Sequence, residues 1–546
     1  MERSIIRGTL RLCRAYHIHP EWSDGPALPT TFQPHTTKPD RLPSEPMATG
    51  VPHPGRRSSD LLAILPLILT LVGIVLAYGQ FLYNRSIWLD EAFIALNLMD
   101  RSIPELMTPL DNNQVAPLLF LVVEKLFSEM MPGTEFGLRI LPLLCYVIAA
   151  LVFLRIVRKL FTDLGTQVFA VSLFVFNGNL IYYASELKQY MSDVTVAVVL
   201  VWLVLRYTRD NRGLNALGAF AVVAIWSSST TPMVAVPAFA YVIHHRSRQK
   251  ASERSSLPVL LFWAALWCGV FLSYYVLVVR DHPAKTFMRQ FWINANGLLP
   301  NDPFSAAFYH GLYDRAYMVF TLVLPYGIKN IYLLPTLFII GCIGWSSSQH
   351  RGLMILFALP ILLHVLLAIL HIYPFETRLI LYLIPFFILI SAEGLRLVLR
   401  LFLHARSPLM RWSTALSIPV VLALIFVRIG YPKDKQEIKP CLAFIVANAA
   451  VGDALYVDAG AIPAFTYYDK VGKYVLELPV HLSIQEDDPE GYMRNAMDLH
   501  GPTWFLFTHQ RKNTTNKITA QLDSLGYTRM LEHHARNAHV YRYDMP

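Results

Sequence analysis

Of the chain's 546 residues, 54% are hydrophobic and only 16% charged, against roughly 25% charged in an ordinary soluble domain, which excludes a soluble globule. The net charge of +9 does not imply nucleic acid, because the Lys and Arg residues sit mainly in short clusters between apolar stretches, where loop charge sets membrane orientation. Five cysteines are scattered without CxxC spacing, so neither a disulfide framework nor a metal site is indicated.

Residues 1–58 are polar, rich in Pro, Ser, Thr and His, and lack the apolar core of a cleaved signal peptide. They are expected to form a disordered cytoplasmic tail. Residues 59–430 then read as a membrane domain. Apolar segments fall near 61–82, 140–160, 164–183, 191–207, 214–230, 231–245, 257–280, 331–346, 353–371, 379–396 and 413–430, each a candidate helix across a hydrocarbon core of ~30 Å. The segment Val115 to Met131 is interrupted by Glu124 and Lys125 and is expected to lie flat as an amphipathic surface helix.

Orientation supports about eleven spans. With the N-terminus inside, one face receives Arg155/Arg158/Lys159, Arg206/Arg209/Arg212, Arg246/Arg248/Lys250/Arg254 and Arg396/Arg400/Arg406/Arg411, as a cytoplasmic face should. Residues 83–139, 184–190, 281–330 and 372–378 then emerge on the opposite face. Residues 431–546 change character: a helical stretch from Lys435 to Ala450 precedes β-like runs at Ala454–Val457, Tyr474–Leu478, Thr503–Phe507 and Ala538–Tyr543. This predicts a small extracytoplasmic α/β domain. It has no paired acids, phosphate loop or nucleophile motif, its Glu486-Asp487-Asp488 cluster reads as a solvated loop, and it is expected to be accessory.

The unusual charges belong to the outer segments. Trp88-Leu89-Asp90-Glu91 follows the first span, and Asp111-Asn112-Asn113-Gln114 follows in the same loop. A carboxylate at a water-facing rim can take the proton of a hydroxyl or amine nucleophile, which makes Asp90 a candidate general base; the same two acids would also suit the first turn of a following helix. The next outer segment, Tyr182 to Asp193, carries Glu186, Lys188, Gln189 and Tyr190. Their spacing places Glu186 with Tyr190, and Gln189 with Asp193, on shared helix faces, although a solvated turn would also hold them. The late outer turn Tyr373-Pro374-Phe375-Glu376-Thr377-Arg378 ends on an arginine, which can clamp a phosphate with its planar fork or serve as an interfacial anchor.

Taken together, Trp88-Leu89-Asp90-Glu91, Gln114-Val115-Ala116-Pro117-Leu118-Leu119-Phe120 and Phe136-Gly137-Leu138-Arg139-Ile140-Leu141-Pro142 resemble the C-type, multi-span glycosyltransferases that use polyprenyl-phosphate sugars. That group includes the protein mannosyltransferases and the aminoarabinose transferases of lipid A. The resemblance covers about residues 60–400 and implies an α-helical polytopic membrane fold with the Asp-Glu pair at the catalytic centre, Asp90 being the base. The sequence departs from the pattern in having one Pro where many members have two, and in a C-terminal region that matches no pattern of the group.

These readings converge on a membrane glycosyltransferase moving a sugar from a polyprenyl-phosphate donor to an acceptor. Asp90 and Glu91 are the expected catalytic residues; Arg378, Lys188 and Arg139 are expected to bind the donor phosphate, and Glu186, Asp111, Gln114, Tyr190 and Glu376 the acceptor or substrate. No cofactor is expected, although a divalent ion would find carboxylates at Asp90, Glu91 and Glu186. The expected partners are membrane lipid, the donor lipid and a glycan, lipid or protein acceptor, and the expected place is a bacterial inner (plasma) membrane with the site on its non-cytoplasmic side. A transporter or flippase of lipid-linked sugars is the alternative, since intramembrane charges also line transport pathways.

Overall fold

In lipid every backbone polar group must be satisfied within the chain, so apolar runs of this length fold as helices. The computed structural model describes residues 63–210, 213–250, 256–324, 332–347, 350–403, 431–483, 501–509 and 514–544; the expected tail, the last expected span at 413–430 and the Glu486-Asp487-Asp488 cluster lie outside the described residues. The helices run α1 Leu65–Tyr83, α2 Leu89–Asp100, α3 Leu118–Met130, α4 Ile140–Leu160, α5 Leu164–Val175, α6 Gly178–Tyr183, α7 Tyr190–Asp210, α8 Leu214–Ser227, α9 Thr231–Arg248, α10 Leu257–Tyr274, α11 Ala284–Asn294, α12 Ala306–Val323, α13 Leu333–Ser347, α14 Leu353–Phe357, α15 Leu359–Ile369 and α16 Ile384–Leu403.

Among the described residues five helices are long and apolar enough to cross a membrane: Leu65–Tyr83, Ile140–Leu160, Tyr190–Thr208, Leu257–Val279 and Thr377–Leu401. Other apolar stretches are shorter or broken, and the breaks have local causes. The stretch 164–183, expected as one helix, divides at Asn177, whose side chain accepts from the Asn179 and Leu180 amides at 3.0 and 3.1 Å while donating to Leu322 O at 2.8 Å. This N-cap starts α6 afresh. The stretch 353–371 divides into α14 and α15, with Pro360 in the first turn of the latter, and 379–396 begins earlier than expected, as a 3-10 segment Thr377–Leu383 leading into α16. Residues 281–330, expected on the outer face, contain α11 and α12. Helix α3 is as expected too short to cross, its 13 residues spanning about 20 Å at ~1.5 Å per residue.

Small residues allow one close helix crossing. A Cβ on Gly341 of α13 would overlap the Ile390 carbonyl, and one on Gly394 of α16 the Leu337 carbonyl, so the two backbones meet directly, as small residues permit in membrane helices.

The C-terminal part adds α17 Ile438–Asn448, α18 Ile462–Val471 and α19 Thr514–Ser524 around strands β1 Ala454–Val457, β2 Val480–Leu482, β3 Thr503–Thr508, β4 Thr528–Ala535 and β5 Ala538–Asp544, in the order β2-β1-β3-β5-β4. Strand β1 pairs in parallel with β2 and β3, while β5 pairs antiparallel with β3 and β4. The expected strand at Tyr474–Leu478 is not in the ladder, which instead takes up Val480–Leu482, and β4 was not expected. Strand β3 is buried on both faces. Phe505 and Phe507 pack toward α19 with Tyr456, Tyr541 and Tyr543, whereas Trp504 and Leu506 join Leu455 and Val457 on the other face. That second face shares one apolar cluster with Ile94, Leu98, Phe120 and Leu138 of the first outer loop and its helices. The sheet and the first outer loop therefore bury each other.

Candidate active site

The rim is organised by the turn Asn84 to Leu89 between α1 and α2. Trp88 is the N-cap of α2, and Asp90 and Glu91 occupy its first turn, where negative charge is favoured by the helix dipole. The two neighbours nevertheless have opposite surroundings. Glu91 is fully buried and accepts four hydrogen bonds: Arg85 Nη1 at 2.6 Å, Arg139 Nε and Nη2 at 3.0 Å each, and the Leu187 amide at 2.9 Å. Burial pushes its carboxyl up, but Arg139 and Arg85 outweigh it and hold the group well below the usual carboxylate range. Asp90 keeps partial access to solvent and pairs with Nη1 of Arg378. Burial raises its carboxyl too, yet Lys188, Arg378 and Lys435 together leave it below its ordinary value, and it is ionised.

Arg378 is carried by the 3-10 segment after the turn Tyr373 to Glu376, and that turn is pinned. His364 Nε2 lies 2.9 Å from Pro374 O and its Nδ1 2.8 Å from the Tyr382 hydroxyl, while the Phe375 amide donates to Gly297 O at 2.8 Å. The guanidinium lies over the Trp292 ring of α11, 5.6 Å from its centroid. Among the described residues only its Nη1 has a hydrogen-bond partner, so Nε and Nη2 remain available.

Lys188 reaches the same rim from the segment between α6 and α7. Its Nζ donates to Gln114 Oε1 at 2.8 Å, and burial pulls the ammonium down to about 8. The helical spacing expected from Glu186 to Tyr190 does not hold, because residues 184–189 are non-helical and Leu187 turns its amide toward Glu91. Glu186 is fully buried, with Oε2 at 3.4 Å from Arg85 Nη2 and Oε1 without a hydrogen-bond partner among the described residues. Tyr190 is also buried, its ring 5.3 Å from that of Tyr183 in an edge-on contact.

Glu91 and Glu186, expected at the chemistry and on the acceptor, are both fully enclosed, and three further expected site residues stand differently from the sequence reading. Arg139, expected on the donor phosphate, spends all five N–H groups on Glu91, Asn84 Oδ1 and the Arg85 and Ser86 carbonyls, and at 1% exposure it has no free donor for a ligand. Asp111 is 69% exposed and pairs with Arg101 at 3.0 Å. Glu376 caps its own helix, accepting from the Thr377 amide and hydroxyl at 3.0 Å each. The carboxylates Asp90, Glu91 and Glu186 each face an arginine, and no group of three His, Cys, Asp or Glu among the described residues could hold a metal ion.

The sequence reading missed Arg85, Trp292, Lys433 and Lys435. Arg85 is a lone cation five residues before Asp90, and Lys433 and Lys435 resemble ordinary boundary charges after an apolar stretch; only folding brings them to Trp88 and Tyr182.

Residues 115–274 match the family model described as dolichyl-phosphate-mannose-protein mannosyltransferase. The fold is similar to that of ArnT from Cupriavidus metallidurans bound to undecaprenyl phosphate, with a TM-score of 0.51 at 12% identity over 89% of this chain and 98% of that one. The superfamily resemblance is borne out. The apo state of the same ArnT gives a TM-score of 0.49 at 13% identity, over 89% of this chain and 98% of that one. No curated protein sequence matches. Family model and fold thus support a membrane glycosyltransferase that uses a lipid-linked sugar.

The contrast between the two acids has a measurable consequence. Removing one member of a buried ion pair costs about 3–5 kcal/mol, so Glu91→Gln should lower the melting temperature of the purified protein markedly, whereas Asp90→Asn should leave it near that of wild type. Equal melting of both variants would remove the distinction.

Proposed function

We propose that the protein transfers a monosaccharide from a polyprenyl-phosphate donor to a hydroxyl or amine of an acceptor at the non-cytoplasmic face of a bacterial inner membrane. The observation that carries this reading is the pairing of a partly accessible, ionised Asp90 with an arginine whose Nε and Nη2 have no protein partner among the described residues. Undecaprenyl phosphate, the lipid named for the ArnT crystal, is of the class that the proposed donor leaves behind when its sugar departs.

The reaction divides naturally between these groups. Asp90 takes the proton from the acceptor as its oxygen or nitrogen attacks the anomeric carbon, a task that general bases ease by roughly 10²–10⁴-fold. The bond from that carbon to the phosphate oxygen breaks, and the polyprenyl phosphate leaves with the electron pair. Arg378 offers two free N–H directions to its oxygens and Lys188 a point charge, both stabilising developing anionic charge. Gln114 positions Lys188, and Tyr190 walls the site. Glu91, Arg85, Arg139 and Glu186 act as positioning residues, since none has an open side towards a substrate. Glu376 helps to set the turn before Arg378. The reaction needs no cofactor.

Incubation of the purified protein with radiolabelled polyprenyl-phosphate hexoses and pentoses, together with envelope glycans, lipids and proteins as acceptors, should label an acceptor. Asp90→Asn should remain folded and lose ~10²–10⁴-fold in rate. Absence of transfer from every donor, or an Asp90→Asn rate equal to wild type, would contradict the reading.

The proposed face is tested separately. In a background without the native cysteines, Asp111→Cys, at an exposed position, should react with an impermeant thiol reagent added outside intact cells. Arg248→Cys, in the basic end of α9, should react only after permeabilisation. The reverse labelling would place the site on the cytoplasmic side.

A further inference from the structure

Residues 431–439 run as a strap across the end of α1 and the turn that carries Asp90. Each side of the strap is tied down. Toward the membrane helices, the Tyr431 hydroxyl donates to Leu76 O. Lys433 and Gln80 exchange two hydrogen bonds, Lys433 N to Gln80 Oε1 at 2.8 Å and Gln80 Nε2 to Lys433 O at 2.7 Å. Glu437 accepts from the Ser86 amide and hydroxyl at 3.0 and 2.8 Å. Toward the sheet, Asn537 Nδ2 donates to Lys435 O at 2.8 Å, the Glu437 amide donates to Arg536 O at 2.9 Å, and Gln436 Nε2 lies 2.7 Å from His509 Nδ1.

Between these ties stands Lys435. Its Nζ lies 3.0 Å from the centroid of the Trp88 ring and 5.8 Å from that of Tyr182. Among the described residues no oxygen accepts a hydrogen bond from this ammonium, although an ammonium is strongly hydrated and carries three donors. An aromatic face offsets only part of that desolvation. The charge of Lys435 acts on Asp90 together with those of Lys188 and Arg378, and all three also feel the buried Glu186, so three cations converge on two acids. A site with excess positive charge and unspent donors is complementary to an anion that arrives with its own oxygens.

We propose that Lys435 is a third phosphate ligand, taking an oxygen of the same lipid phosphate that Arg378 and Lys188 bind. The inference rests on the polyprenyl-phosphate reading above and extends it, because it makes the C-terminal part of the chain a portion of the active site and not the accessory expected from its sequence. The strap explains how a residue 345 positions beyond Asp90 can be held to the rim: its backbone is bonded on both sides, which leaves the side chain as the mobile element. Trp88 is then the resting place of the ammonium, from which it swings onto phosphate oxygen when the lipid enters. No bond is made or broken by Lys435; it supplies charge and hydrogen-bond donors.

The test compares binding of a polyprenyl phosphate and of the matching uncharged polyprenol to full-length wild type, Lys435→Gln and Lys435→Arg. A lost charge-assisted hydrogen bond should weaken phosphate binding by Lys435→Gln about tenfold or more, with Lys435→Arg close to wild type and polyprenol binding the same in all three. Equal phosphate affinity for Lys435→Gln and wild type would overturn the proposal while leaving the transferase reading intact. A wild-type protein that does not prefer the phosphate to the polyprenol would overturn both. A second measurement needs no variant: polyprenyl phosphate, and not polyprenol, should protect Lys435 of the wild-type protein from an amine-acylating reagent, read by mass spectrometry. Equal acylation with either lipid would contradict the assignment.

Discussion

A carboxylate with no access to water, Glu91, holds two guanidiniums and a backbone amide in place, and the geometry of the whole rim follows from it. Charges in such surroundings are costly unless each is paired and hydrogen-bonded, and here the pairing is complete on the acid. Through Arg139 the knot fixes the start of α4, through Arg85 the turn after α1, and through Leu187 the non-helical segment that delivers Lys188. Asp90, one residue earlier on the same helix, is thereby directed at Arg378 without having to pay for the fold itself.

The two adjacent acids illustrate how environment assigns roles. Both are ionised, but Glu91 is kept so by full enclosure between arginines, and Asp90 by cations that leave one side of it accessible. A second buried acid, Glu124 on α3, shows the opposite outcome. It has no hydrogen-bond partner among the described residues, and burial with the nearby Glu91 charge pushes its carboxyl well above the ordinary range, which favours the neutral form. Its presence explains how a charged residue type can occupy the inward face of a helix expected to lie on a surface.

Much of this was legible in the sequence wherever the signal was local. Apolar runs located most of the helices, and the adjacent acids of Trp88-Leu89-Asp90-Glu91 marked the rim. Arg378 stood out as a cation at the end of a short proline-containing turn. Features made by distant residues were not legible. Nothing near Arg139 reveals that its five donors are consumed by residues 84–91, and nothing near Lys435 reveals Trp88. Strand β4 escaped because its exposed run Thr528 to Ala535 lacks apolar alternation, while Tyr474 to Leu478 has that alternation and packs against the shared core without entering the ladder. The break at Asn177 required capping partners that a hydropathy pattern does not contain, and the one before Pro360, where no side chain caps the helix, lies inside a continuous apolar run.

The central claim is that Arg378 receives the phosphate of the departing lipid through its planar fork. An interfacial anchor needs only a long cation, whereas a bidentate contact with phosphate oxygens needs the guanidinium. Single-turnover transfer from a labelled polyprenyl-phosphate sugar, measured for wild type, Arg378→Lys and Arg378→Ala with equal amounts of inserted protein, separates these demands. The expected result is a large loss of rate in both variants despite the charge retained by lysine. A wild-type rate in Arg378→Lys would contradict the claim and reduce Arg378 to a membrane anchor.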